Sequence, residues 1–155
     1  MADSYKRIYL HLILVVKNRE ALITKNFNER LFGFIHEAIN SRGNYCYKVG
    51  GHLDHVHIFF DYKGKELLSD MIREIKKSSN IFINTQRLTK FHFQWQKGYG
   101  LFSVGSSSKQ TVINYINNQE AHHNNGNTFK DEYLQLLNEF DVKYNQDYLF
   151  DFIKF

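Results

Sequence analysis

The chain has 155 residues, 43% hydrophobic and 23% charged, which is enough apolar material for one core of its own. That balance excludes a disordered chain, and no apolar run is long enough to span a membrane. Lys plus Arg exceed Asp plus Glu by 20 − 16 = +4, and the pI is near 9.1, so a polyanionic partner is permitted but not required. The lone cysteine, Cys46, cannot form an internal disulfide, and the N-terminus lacks a signal-peptide pattern, so a reducing cytoplasm is the expected location. Aromatic residues reach 16%, with 10 Tyr and 14 Phe, more than a small core needs, which leaves some to stack on bases.

Ile8 to Val16 is a nearly continuous apolar run, as expected of a central strand buried on both faces. Asn26-Phe-Asn-Glu29 resembles a capping box, and Phe27, Leu31, Ile35 and Ala38 follow at helical spacing until Gly43. Tyr45, Tyr47 and Val49 alternate, and Gly50-Gly51 is expected to turn the chain into a third strand from Asp54 to Phe60. Leu68, Met71, Ile72, Ile75 and Phe82 trace a second amphipathic helix with Arg73, Lys76 and Lys77 on its exposed side. Phe91, Phe93 and Trp95 alternate with polar residues and predict a last strand, ahead of the glycine-spaced stretch from Gly98 to Gly105.

The order βαββαβ predicts an α+β, ferredoxin-like (RRM-like) two-layer sandwich over about residues 5–105, with one sheet face open. A third helix, from a capping-box-like Ser107-x-x-Gln110 to about 123, has room to lie over that face. Residues 128–155 read as a C-terminal helix with an aromatic tail, Tyr133, Leu136, Leu137 and Phe140 forming its apolar side. All of 1–155 is read as one domain.

His55-Val56-His57 carries the most chemistry. A strand's two-residue period aims both imidazoles at one point, with Val56, Ile58 and Phe60 turned toward the helices. Tyr115 and Gln119 stand four apart on the third helix and so share a face. Gln119 lies roughly 40° from Tyr115 around the axis, and His122 roughly 20° away on the other flank. Two imidazoles and an amide oxygen are neutral ligands that leave a divalent cation its full charge for a phosphate oxygen, and mixed N and O donors suit Mn²⁺ or Mg²⁺. Ionising a tyrosine of pKa about 10 at pH 7 costs about 4 kcal/mol, so a metal must help. A phenoxide leaves readily in the return step, so an aryl phosphodiester can store a cut bond for rejoining without ATP. The chain accordingly has no G-x-x-x-x-G-K-[ST] loop. The constellation thus predicts metal-assisted attack by Tyr115 on a phosphodiester.

Each part has a plainer reading when taken alone. A single His-x-His on a strand is usually packing, and a tyrosine on an amphipathic helix is usually core. His11, His36, His52 and His92 have no comparable partner in the pattern and read as structural, while Asp54 reads as a strand-edge residue pointing away from the histidine face. Arg73, Lys76 and Lys77, with Lys17 and Arg19 at the end of the first strand, are candidate phosphate contacts on otherwise solvated faces.

His55-Val-His57 with Tyr115-Ile-Asn-Asn-Gln119 resembles the single-tyrosine HUH transposases (TnpA type) of minimal bacterial insertion sequences. Trp95-Gln-Lys-Gly-Tyr-Gly-Leu-Phe-Ser-Val104, Tyr115-Ile-Asn-Asn-Gln-Glu-Ala-His-His123 and Phe129-Lys-Asp-Glu-Tyr133 extend the likeness in order over nearly the whole chain. The resemblance implies cleavage and rejoining of single-stranded DNA with hairpin ends through a 5′-phosphotyrosine, using Mg²⁺ or Mn²⁺. It implies Tyr115 as nucleophile and His55, His57 and Gln119 as metal ligands, with His122 able to replace or assist Gln119. It also implies a homodimer in which the tyrosine helix of one subunit completes the other's site. Two rivals remain. Lys97-Gly-Tyr-Gly-Leu-Phe-Ser-Val104 nearly matches the RNP1 signature of an RRM-like RNA-binding module, though on the wrong strand and with Leu101 where a stacking aromatic belongs. An HUH relaxase or replication-initiator nuclease would share the histidine pair.

Overall fold

The structure is a computed structural model, and it describes residues 4–20, 22–124, 126, 128–145 and 149, without the side chains of Arg19 and Asn124. Four strands, β1 (Tyr9–Val15), β2 (Tyr45–His52), β3 (His55–Asp61) and β4 (Gly100–Val104), form one antiparallel sheet in the order β2-β3-β1-β4. Helices α1 (Asn28–Ser41) and α2 (Leu68–Thr85) cross over on one face. This is the predicted ferredoxin-like arrangement, and β1 is central and buried along its length.

Strand alternation divides the core in two. Leu10, Leu12, Leu14, Val56, Ile58 and Phe60 point to α1 and α2, where they meet Leu31, Ile35, Ile39, Met71, Ile72 and Ile75. Fully burying each such aliphatic side chain is worth about 1.5–3 kcal/mol, so this layer fixes the register that turns His55 and His57 to the other face.

That other face, left open by the βαββαβ core, is covered by α3 (Lys109–Asn117), α4 (Gln119–Asn124) and α5 (Phe129–Glu139). Ile13, Val15 and Phe102 pack on Phe129, Tyr133 and Leu137 of α5, while Tyr9 and Phe59 pack on Ile116 of α3. Two strand glycines permit the close approach: a Cβ at Gly50 would lie 2.8 Å from Ile116 Cγ2, and one at Gly100 would lie 2.7 Å from the Tyr133 ring. Gly50→Ala should therefore push α3 outward and cost about 1–3 kcal/mol, read as a lower urea midpoint at unchanged m.

Several sequence-based expectations are corrected. The β2–β3 turn is at Leu53-Asp54, and Gly50 and Gly51 continue β2, because the strand needs them as contact points. The Phe91–Trp95 segment is not the last strand. Its backbone is occupied by α2 side chains, with Asn84 both donating to Phe93 O (2.9 Å) and accepting from Phe93 N (2.7 Å). Only a single bridge, Val16 to Trp95, ties it to the sheet, and β4 forms within the glycine-spaced stretch instead. Helix α1 starts at Asn28 without a side-chain cap, and α3 follows a 3-10 turn, Ser106–Ser108, also without one. The helix over the histidines breaks at Asn118 into α3 and α4. Thr128 caps α5 by accepting from Asp131 N, but α5 stops at Glu139, and most of the aromatic tail beyond it lies outside the described residues. Among the described residues no helix is long and apolar enough to cross a membrane.

Candidate active site

Strand β3 presents His55 and His57 on the covered face, both fully buried, opposite Val15 and Ile13 of β1. Helix α4 opens with Gln119, whose Oε1 stands 2.9 Å from His55 Nε2 and 3.1 Å from His123 Nε2. The half-buried ring of Tyr115, near the end of α3, meets His57 edge-on at 5.6 Å between centroids. His55, His57, Tyr115 and Gln119 therefore meet within a single chain. His122 borders Tyr115 at 5.6 Å between ring centroids, and the ring of the next residue, His123, reaches Gln119.

The sequence reading missed Glu132. This carboxylate reaches in from α5 and is buried: Oε1 lies 2.7 Å from His57 Nε2 and 3.9 Å from His55 Nε2, while Oε2 lies 3.1 Å from His123 Nε2 and 3.4 Å from His122 Nε2. The signal was present, since Glu132 falls between Phe129 and Leu136 on the apolar side of α5, where an unexplained acid is unusual. Phe129 stacks on His55 at 4.0 Å and seals the site from that side.

The donors fit a cation. Among the described residues, His57 Nε2 and both Glu132 oxygens are buried without an aligned hydrogen bond, although His57 and Glu132 are only 2.7 Å apart. Close approach without hydrogen-bond alignment is what atoms converging on an ion display, because two ligands at about 2.1 Å and a right angle are about 3 Å apart. His55, His57 and Glu132 form a group able to hold a divalent metal, with Gln119 Oε1 beside it. With Glu132 among the donors, the candidate set would carry one negative charge, where the sequence predicts none.

Partners on the far side of each imidazole hold the pair in place. Asp54, expected to point away, lies 2.8 Å from His55 Nδ1. His11, read as structural, lies 2.7 Å from His57 Nδ1. Burial lowers the pKa of both His57 and His11, His11 to about 3, so neither is charged at neutral pH. For Glu132, burial acts to raise the pKa, but the close ring nitrogens of His123 and His57 outweigh it and hold the carboxyl well below its ordinary value. Burial pushes the Tyr115 phenol well above its ordinary value, Glu132 adds to the rise, and the Gln119 amide opposes it. A cleft of about 350 Å³ opens on Tyr115, His11, His122 and Glu132, with Thr111 and Gln135 at its edge.

The basic residues named from the sequence stand on two elements. Lys17 is exposed in a 3-10 turn, Lys17–Arg19, at the end of the sheet that holds His55, and Arg19's side chain lies outside the described residues. Arg73, Lys76 and Lys77 are on α2, in the layer away from the cleft. Arg73 is 3.3 Å from Asp70, and Lys76 Nζ donates to the carbonyls of Gln96 (2.6 Å) and Lys97 (2.7 Å). The RNP1-like stretch forms β4, where Phe102 is 4% exposed under α5 and is not free to stack on a base.

Two solved structures share the fold. One is a candidate transposase from Deinococcus radiodurans R1, with TM-score 0.60 and 16% identity over 77% of this chain and 95% of that one. The other is a REP-associated tyrosine transposase bound to a REP hairpin, with TM-score 0.56 and 17% identity over 79% of this chain and 74% of that one. No curated protein matches the chain. The family model for IS200-like transposases matches residues 4–119, from ahead of β1 through Gln119. With its sheet, histidine pair and tyrosine helix all inside that match, this chain belongs to the IS200-like transposase family.

Proposed function

We propose that the chain is a metal-dependent, single-strand DNA endonuclease and strand transferase that cuts and rejoins insertion-sequence ends through a 5′-phosphotyrosine on Tyr115. The observation that carries this reading is the meeting of the Tyr115 ring, both imidazoles and the Gln119 amide around one buried carboxylate at the wall of a cleft.

His55, His57, Gln119 and Glu132 would hold the metal, Mg²⁺ or Mn²⁺ by their donor types. A divalent ion there would polarise the scissile phosphate and offset the Glu132 charge that opposes phenolate formation. Glu132, whose pKa is held well below its ordinary value, is a weak base, so the Tyr115 proton would pass to water in the cleft. The phenol oxygen bonds to phosphorus as the P–O3′ bond breaks, and the departing O3′ takes a proton to become a free 3′-hydroxyl. Gln119 and the edge-on His57 fix the phenol's direction, and Phe129 keeps water from the back of the site. Lys17 and Arg19 would guide the single strand past His55. As DNA contacts, Arg73, Lys76 and Lys77 would serve a hairpin stem held outside the cleft.

The hairpin complex of the REP-associated transposase supports a folded DNA partner for this chain too. The test is incubation with single-stranded ends of its own element and Mn²⁺. Cleavage that stops in chelator, spares duplex of the same sequence and spares RNA supports the reading, and metal-independent binding of RNA without cutting would support the RRM-like alternative.

For assembly, we propose a homodimer whose subunits can each complete their own site, because one chain already brings Tyr115 to His57. Mixing Tyr115→Phe with His55→Ala protein should then restore less than a few per cent of wild-type cleavage. Recovery toward one quarter, the share expected when hybrid dimers carry one whole site, would instead support sites completed in trans.

A further inference from the structure

We infer that His11 is a positioning residue for the metal centre, holding His57 in the tautomer whose Nε2 is free to bind a cation. The inference rests on the reading of His57 as a metal ligand and adds a residue that the sequence pattern left among the structural histidines.

An imidazole that ligates through Nε2 must carry its proton on Nδ1, and when the ring is fully buried that proton needs an acceptor inside the protein. His57 is fully buried and its Nε2 faces Glu132, so with a cation held between them Nδ1 would be the protonated edge. His11 Nε2 lies 2.7 Å from that Nδ1, and the two rings are tilted by 34° at 4.9 Å. The strand pattern creates this contact: His57 pairs with Ile13, and His11, two residues earlier on β1, points to the same face. If His57 Nδ1 donates, His11 Nε2 accepts, and His11 carries its own proton on Nδ1.

The two ligands are therefore supported differently. Behind His55 stands the Asp54 carboxylate at 2.8 Å, and behind His57 stands a second imidazole. A neutral acceptor fixes the ring without adding another negative charge to a centre that already includes Glu132 and has Asp54 close behind. His11 also lines the cleft beside Tyr115, so loss of its ring would loosen His57 where the phenol meets it. A histidine present only to fill the core would make no specific bond to a ligand's far nitrogen.

The test measures Mn²⁺ affinity of the full chain without DNA, by the free-ion EPR signal, for wild type, His11→Phe and His11→Gln. His36→Gln is the control, since His36 bonds the Cys46 carbonyl outside the site. His11→Phe should bind Mn²⁺ about 10–100-fold more weakly, the usual effect of removing such a partner, while His11→Gln, whose amide oxygen can accept the same proton, should recover most of the affinity. Long-range ¹H–¹⁵N spectra of the Mg²⁺-loaded chain should show both His57 and His11 protonated on Nδ1, which leaves His11 Nε2 as the acceptor. Wild-type affinity in His11→Phe with His57 still protonated on Nδ1 overturns the proposal. If His11→Phe does not fold, the Mg²⁺-loaded wild-type spectrum is sufficient: His11 protonated on Nε2, and so unable to accept from His57 Nδ1, overturns it. If wild type binds no Mn²⁺, the metal reading fails and the inference resting on it fails with it, whereas Mn²⁺ binding that His11→Phe leaves unchanged overturns the inference alone.

Discussion

Tyr115→Phe is expected to abolish covalent attachment of DNA and to lower strand cleavage by at least about 10³-fold, the scale of loss when an enzyme is deprived of its nucleophile. Binding of a hairpin-bearing end should change by less than about 3-fold, because the ring stays half-buried against His57 and His122 and only the hydroxyl is removed. The separation of binding from cutting is the informative part. A tyrosine present for packing would leave both intact when replaced by phenylalanine, and one needed for DNA affinity would lose both. Gel-shift titration and a denaturing gel of the same reactions measure the two quantities side by side.

Glu132→Gln should have the second largest effect, a loss of about 100-fold or more in Mn²⁺ affinity, equivalent to about 2.7 kcal/mol. The substitution keeps the shape and one carbonyl oxygen but removes the charge that lies 2.7 Å from His57 and 3.1 Å from His123. Cleavage at limiting Mn²⁺ should fall in proportion, and saturating Mn²⁺ should restore most of it. Were Glu132 only a structural partner of the histidines, the variant would melt earlier but bind Mn²⁺ as wild type does. Calorimetric titration of Mn²⁺ and thermal melts of the same preparation separate those outcomes.

Where side-chain period alone sets geometry, the sequence was a sufficient guide. The alternation of Asp54 to Phe60 placed His55 and His57 on the face away from α1 and α2, and the four-residue step from Tyr115 to Gln119 survived the helix break at Asn118. The element order also foretold the ferredoxin-like core. Errors arose where tertiary contacts overrode a local pattern. Phe91, Phe93 and Trp95 alternate like a strand, but Asn84 on α2 takes up their backbone groups. Gly50-Gly51 looks like a turn, but the pair continues β2, and Gly50 leaves space for Ile116.

The site was legible to the extent that its residues were close in sequence or matched a known arrangement. Glu132 and His11 reach the histidines through packing between elements, and no period links them to His55-Val-His57, while Asp54 reaches its neighbour His55 from the adjoining turn. Glu132 alone left a trace, as an acid on the apolar side of α5 inside the Phe129 to Tyr133 motif. His11 sat within a run that reads as pure core, and Asp54 was assigned by strand alternation although it belongs to the turn, where that rule no longer holds.

Mass-spectrometric mapping of the adduct trapped on a single-stranded insertion-sequence end with Mn²⁺ tests the central claim most directly. The account predicts one modified peptide, carrying the 5′-phosphate of the downstream fragment on Tyr115, together with an upstream fragment ending in a free 3′-hydroxyl. Cleavage that leaves no DNA on the protein, or an adduct on a different tyrosine such as Tyr133, would contradict it.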